Sequence, residues 1–75
     1  MKTYYINISS IDKVKHFCQE ANKVECDIEL CWSKYIIDAK SLMGIFSLDI
    51  REPLKMIVNA DDINIENLKP YIIET

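Results

Sequence analysis

Residues 39–48 read AKSLMGIFSL, an apolar run that contains the chain's single glycine. Ser is a preferred N-cap residue, so Ser41 predicts a short helix over residues 41–48. A helix of about two turns cannot direct all five of its large apolar side chains inward. Some of them must therefore face solvent or a partner, and Gly44 would let a partner or a neighbouring backbone come close.

Strand patterns flank this helix on both sides. Ser33 and Lys34 form a tight turn between two of these strands. Four segments are predicted to be strands, each with one buried face: residues 3–8, 25–32, 35–39 and 54–60.

The two remaining segments have helical patterns of different strength. Ser9 with Asp12 fits a capping box that opens the first helix. Residues 63–74 predict a weaker C-terminal helix, which Pro70 ends or kinks near residue 69. The apolar stripe of the first helix consists of Ile11, Val14, Phe17, Cys18, Ala21 and Val24.

The element order βαββαβα predicts an α+β fold. One-sided strands interleaved with helices indicate an open-faced sandwich, with an antiparallel four-stranded sheet and two to three helices on one face. Seventy-five residues form a single domain over residues 1–75. A chain of this size buries only roughly 60% of its unfolded surface, so we expect modest stability.

Composition argues against several classes of partner. The net charge is −3 and the basic residues are scattered, so we expect no nucleic-acid binding. No apolar run approaches the ~20 residues of a membrane helix, and the opening MKTYYINI lacks the apolar core of a signal peptide. We therefore expect a cytoplasmic protein that does not bind membranes.

Three cysteines and one histidine offer no metal-binding pattern. Cys26 and Cys31 have opposite parity in one predicted strand, so their side chains cannot bridge each other. We expect free thiols, no metal site and no cofactor.

Two blocks of sequence resemble HPr, the histidine-containing phosphocarrier family of the bacterial sugar phosphotransferase system. The family carries a D-I-x-L strand followed at fixed spacing by K-S-[IL]-M-G-[IV]-x-S-L on its second helix. The chain has DIEL at residues 27–30 and KSLMGIFSL at residues 40–48. The resemblance implies the HPr fold.

The carrier motif of that family, G-[IL]-H-A-R-P, is absent. Counting back from Asp27 places Ser10 at the histidine, Asp12 at the arginine and Lys13 at the proline. A serine hydroxyl cannot replace imidazole as a high-potential carrier, and the Asp12 anion would repel a phosphoryl group. The chain thus resembles a divergent member that lacks the active-site histidine. His16, on the side opposite the apolar stripe, is interpreted as a solvated surface residue.

The resemblance also assigns roles around the second helix. Ser41 is the N-cap and, by resemblance to Gram-positive members, a candidate for regulatory phosphorylation. In the family this helix and the start of the first form the docking face for partner proteins. The residues that this assigns to partner binding are Lys40, Leu42, Met43, Gly44 and Phe46.

We therefore expect a non-enzymatic, regulatory protein that binds protein partners related to the phosphotransferase system. The family has a precedent in its catabolite-repression paralogue, which lacks the histidine and acts through a phosphoserine. Two alternatives stay open. One is a phosphoryl carrier that uses Ser10 or His16, and the other is an HPr-fold interaction module in an unrelated assembly.

Overall fold

The computed structural model describes residues 1–74, and their strands form one antiparallel sheet. The order across the sheet is third, second, fourth, first and fifth strand, so the third and fifth strands are its edges. The open antiparallel architecture agrees with the expectation, but the sheet has five strands rather than four. In chain order the strands are β1 (Lys2–Ile6), β2 (Ile28–Trp32), β3 (Tyr35–Asp38), β4 (Leu54–Val58) and β5 (Ile72–Glu74).

Three helical segments complete the layer above the sheet: α1 (Ile11–Ala21), α2 (Leu42–Phe46) and a 3₁₀ helix (Glu66–Tyr71). α1 lies between the other two and packs against both. Phe17 of α1 meets Tyr71 edge to face, with ring centroids 5.4 Å apart. Such a pair adds about 0.5–1.5 kcal/mol beyond its buried area.

One hydrophobic core lies between the sheet and this helical layer. Its buried residues come from β1, β2 and β4 and from all three helical segments. Within residues 1–74 no helix is both long and apolar enough to cross a bilayer. The largest side chains that are essentially inaccessible are Ile6, Ile8, Val14, Phe17, Ile28, Leu30, Ile45, Leu54, Met56, Val58 and Leu68.

The start of α1 differs from the expected capping box. Ser10, not Ser9, is the N-cap, and its Oγ accepts the Lys13 N–H at 3.1 Å. Ile11 is 60% exposed, so the buried stripe begins at Val14. The reason is geometric: Ile11 lies in the first turn, beyond the reach of the core, whereas the next turn faces the sheet.

The C-terminal segment also departs from the expected helix over residues 63–74. A 3₁₀ helix that includes Pro70 is followed at once by β5. The outer edge of β1 offers unpaired backbone groups there, and the β-branched Ile72 pairs with Ile6. Strand pairing satisfies backbone groups that an isolated, proline-interrupted helix would leave open.

Element ends differ in smaller ways. The expected strand over residues 25–32 begins at Ile28, and Cys26 and Trp32, which share the parity of the buried Ile28 and Leu30, are only partly buried. α2 ends at Phe46 rather than at residue 48. Its last expected residue, Leu48, nevertheless enters the core from the following turn.

Candidate partner-binding site

The topology brings the start of α1 and the segment after α2 to one end of the sheet. Ile6, the last residue of β1, pairs with Leu54, the first residue of β4. The chain leaves β1 towards α1 at this end, and it returns here from α2 before entering β4. Since α1 also packs against α2, the two helices form one continuous side of the molecule.

The first turn of α1 is capped by the chain's own Ser10. Ser10 is exposed, its hydroxyl caps the Lys13 N–H, and its carbonyl accepts the Val14 N–H at 3.0 Å. Asp12 adds a carboxylate in the first turn, where the helix dipole favours negative charge. The position that counting assigns to the carrier histidine is therefore a helix cap beside an anion.

His16 lies one turn further along α1 and is exposed. The nearby Glu20 is held by Lys23, whose Nζ lies 2.8 Å from its Oε2. Hydrogen bonds from Lys23 and then from Asn67 lower the pKa of the Glu20 carboxyl, to which His16 adds a smaller charge effect. His16 thus faces solvent on the side of α1 away from the core.

The apolar run of α2 divides between core and surface. Ile45 is fully buried and Leu48 nearly so. Met43 is 80% exposed, whereas Leu42 and Phe46 are 37% and 38% exposed. Leu42 and Phe46 share a helix face at spacing i, i+4, and that face is half covered. Three of the assigned partner-binding side chains therefore present apolar surface.

Gly44 makes a close approach inside the molecule. A Cβ at this position would lie 3.2 Å from Ser41 Oγ and 3.5 Å from the Ile37 Cβ. Ser41 Oγ accepts the Gly44 N–H at 3.2 Å, which confirms Ser41 as the N-cap of α2. Because Gly44 has no side chain, α2 can lie against β3, and Ser41 Oγ can accept the Gly44 N–H without a steric clash.

Lys40 holds the start of α2 to the loop after α1. Its Nζ donates to the Val24 carbonyl at 2.7 Å. Asn22 Nδ2 donates both to the Lys40 carbonyl at 3.2 Å and to the Cys18 carbonyl at 2.8 Å. The Lys40 ammonium is therefore engaged with Val24 rather than turned towards Ser41.

Two contributors to this side were not found from the sequence. Asn22 joins α1 to the start of α2 through side-chain hydrogen bonds that no local sequence motif predicts. Ile11, assigned to the buried stripe, is instead exposed apolar surface beside Ser10. The available signal was Ser10 directly before it, since serine is a residue type that commonly caps helices. In the described part of the chain, no group of three His, Cys, Asp or Glu could hold a metal ion.

Comparison with known proteins agrees with this fold and motif. The family model described as "PTS HPr component phosphorylation site" matches residues 13–68. The chain belongs to the HPr family. The structure of HPr-C-His from Thermoanaerobacter tengcongensis is similar, with a TM-score of 0.78 and 28% sequence identity. The likeness covers 93% of this chain and 89% of that HPr. No curated protein matches.

The family match relates the chain to the phosphotransferase system, whose other proteins are partners of the HPr family. The matched segment includes Ser41 and all of α2. It begins at Lys13, three residues after Ser10. The position aligned by counting with the carrier histidine therefore lies outside the match.

Proposed function

We propose that this HPr-family protein is a regulatory, partner-binding component related to the phosphotransferase system, and not a phosphohistidine carrier. The supporting observation is the start of α1. Ser10 there caps the helix, and Asp12 occupies the first turn. A phosphoryl group entering this turn would meet a carboxylate and an engaged hydroxyl in place of a nucleophilic imidazole.

The partner-binding half of the proposal rests on α2. Its exposed apolar side chains Leu42, Met43 and Phe46 lie on the side that α1 shares. Methionine adapts its shape to different surfaces, and exposed apolar groups on a small domain mark interaction sites. The partner is a protein with a complementary apolar patch, and the protein acts without catalysing a reaction. A cytoplasmic location follows from the same role.

The deciding experiment is phosphoryl transfer. The protein is incubated with labelled phosphoenolpyruvate and enzyme I, beside a histidine-bearing HPr as positive control. We expect no acid-labile label on this chain while the control is labelled. Acid-labile label that disappears in His16→Ala would establish a carrier through His16, and acid-stable label lost in Ser10→Ala would implicate Ser10.

Regulation through Ser41 forms a separate part of the proposal. Ser41 is exposed, and its hydroxyl already points at the α2 N-terminus. A phosphate there would accept the Gly44 N–H in place of the hydroxyl and add negative charge beside the docking face. Incubation with an HPr serine kinase and ATP should label wild type but not Ser41→Ala. Ser47→Ala, which alters another exposed hydroxyl of the same segment, is the matched control.

A further inference from the structure

The edge strand β3 combines exposed apolar side chains with an outer edge on which the Asp38 carbonyl accepts the Ser41 N–H but no other described strand pairs. Tyr35 is 55% exposed and Ile36 is 63% exposed. Among the described residues, only β2 pairs with this strand. Natural edge strands are usually blunted by short length, by proline or charged side chains on the edge, or by a bulge. β3 is short and ends at Asp38, but its sequence YIID contains no proline or lysine, and its pairing with β2 runs without a bulge.

The direction of the backbone groups identifies which residues point outward. The Ala39 N–H donates to the Ile28 carbonyl at 2.9 Å, so Ala39 faces β2. Backbone direction alternates along an antiparallel strand. Tyr35 and Ile37 therefore also face β2, while the N–H and C=O of Ile36 point away from the sheet.

We propose that β3 pairs antiparallel with β3 of a second copy of this chain, about a twofold axis at Ile36. A closed twofold dimer requires one residue to lie opposite itself. At Ile36 this gives two mutual hydrogen bonds, since each outward N–H meets the outward carbonyl of its twin. Ile36 packs against Ile36 on the open face of the joined sheet, and Tyr35 lies opposite Ile37 on the other face.

Charge complementarity supports this register over its neighbours. With Ile36 on the axis, Lys34, in the turn directly before β3, comes next to Asp38 of the second copy, and the symmetry repeats the pair. Both residues are exposed, and the Asp38 carboxylate already accepts the Lys40 N–H through Oδ1 at 2.9 Å. An axis at Tyr35 or Ile37 would instead place Ile36 opposite a charged residue. Opposite charges facing each other across strands stabilise pairing, and like charges weaken it.

The interface is small, because β3 has four residues. Standard stable interfaces bury roughly 1,200–2,000 Å², and a single short strand pair falls below that range. The dimer is therefore weak and depends on concentration.

The first test removes one outward N–H. In Ile36→Pro the missing donor is one that points away from β2, and edge strands tolerate proline at such positions. Sedimentation velocity over a rising protein concentration should show a monomer–dimer equilibrium for wild type and for Ile36→Val, which keeps the N–H and a β-branched apolar side chain. Ile36→Pro should stay monomeric, with its circular dichroism spectrum unchanged. A wild type that remains monomeric at the concentrations used for NMR would overturn the proposal.

The second test reverses the charge pairs. Lys34→Glu and Asp38→Lys should each raise the dimer Kd about tenfold, because two attractive pairs become repulsive. An equimolar mixture of the two variants should recover heterodimers of wild-type strength, since both pairs are restored. Lys15→Glu, with the same charge change on α1, should leave the Kd unchanged. Equal weakening by Lys15→Glu, or growth into larger species, would contradict a closed β3 dimer.

Discussion

At the scale of single residues, a substitution at Met43 tests whether the exposed face of α2 is a docking surface or part of the core. Met43→Ala should reduce the free energy of unfolding by less than about 1 kcal/mol, because the side chain is 80% exposed. Ile45→Ala, two residues along the same helix, should cost about 2–5 kcal/mol because Ile45 is fully buried. Urea denaturation of the two variants beside wild type measures both values.

The same Met43→Ala variant tests the docking role, because a hot-spot side chain loses more in binding than in stability. Affinity for a phosphotransferase-system partner should fall by more than the small stability change. A large loss of stability, equal to that of Ile45→Ala, would mean that the exposed helix face belongs to the core. Unchanged affinity in a stable variant would mean that Met43 does not contribute to partner binding.

Gly44 and Ser41 form a coupled pair at the start of α2. Alanine in place of glycine improves helix propensity by about 1 kcal/mol. At this position, however, the new Cβ would approach Ser41 Oγ to 3.2 Å and push the capping hydroxyl away from the Gly44 N–H. Loss of a cap costs about 1 kcal/mol. We therefore expect Gly44→Ala to give no gain in the free energy of unfolding.

A double-mutant cycle checks that explanation of Gly44. In a Ser41→Ala background the capping bond is already lost, so Gly44→Ala should be less costly there than in wild type. Thermal or urea unfolding of the four proteins gives the coupling. Strict additivity would mean that the Ile37 contact, rather than the cap, limits the space at Gly44.

At the scale of elements, Glu20 joins α1 to the 3₁₀ helix. Asn67 Nδ2 donates to the Glu20 carbonyl at 2.9 Å and to its Oε1 at 3.2 Å, and Lys23 pairs with the same carboxylate. These bonds lower the pKa of Glu20 in the folded state, with Lys23 as the larger cause. A depressed folded pKa contributes stability above the unfolded pKa, and that contribution is lost as the pH falls through the folded pKa.

We therefore expect Glu20→Gln to flatten the acid limb of the stability profile. The glutamine keeps an acceptor for Asn67 but does not titrate, so wild type should lose more stability than the variant as the pH falls below about 4.3, the usual glutamate pKa. Thermal unfolding of both proteins between neutral and acid pH measures the difference. Glu25→Gln, a change of equal charge in the loop after α1, is the control and should leave the acid limb as in wild type.

At the scale of the whole molecule, the alkylation rate of the Cys18 thiol measures how often the hydrophobic core opens. Its side chain is buried in the core that every layer shares, and burial is the main cause of the raised pKa of its thiol. Little thiolate is available at neutral pH, and a reagent can reach the sulfur only when the core opens. Cys26 and Cys31 are both partly accessible.

Alkylation followed by mass spectrometry should therefore modify two cysteines before the third. The rate at Cys18 should rise with urea in parallel with global unfolding, whereas Cys26 and Cys31 should react faster than Cys18 in the native state, even though burial also raises the pKa of the Cys31 thiol. Cys18→Ala, which leaves only the two accessible thiols, identifies the slow site. Fast native-state labelling of Cys18 would show that α1 opens without unfolding the sheet.

Local patterns in the sequence determined most of the fold. Strand alternation, the stripe from Val14 to Ala21 and the motif at residues 40–48 each depend on neighbours a few positions apart, and the structure agrees with them. The motif also led to the family, which the comparison confirmed. Ser41 was identified as a cap because capping is a local interaction between a side chain and a backbone N–H three residues on.

Only tertiary structure decided the features that depend on distant partners. Residues 72–74 became a strand because β1 offered an open edge, which no pattern within the segment records. Lys40 was assigned to the docking face, yet its ammonium bonds to the Val24 carbonyl across the loop after α1. The division of the α2 run into buried Ile45 and exposed Met43 likewise depends on where α1 and β3 lie. Burial is a property of the assembled layers, and the sequence pattern of a five-residue helix is too short to determine it.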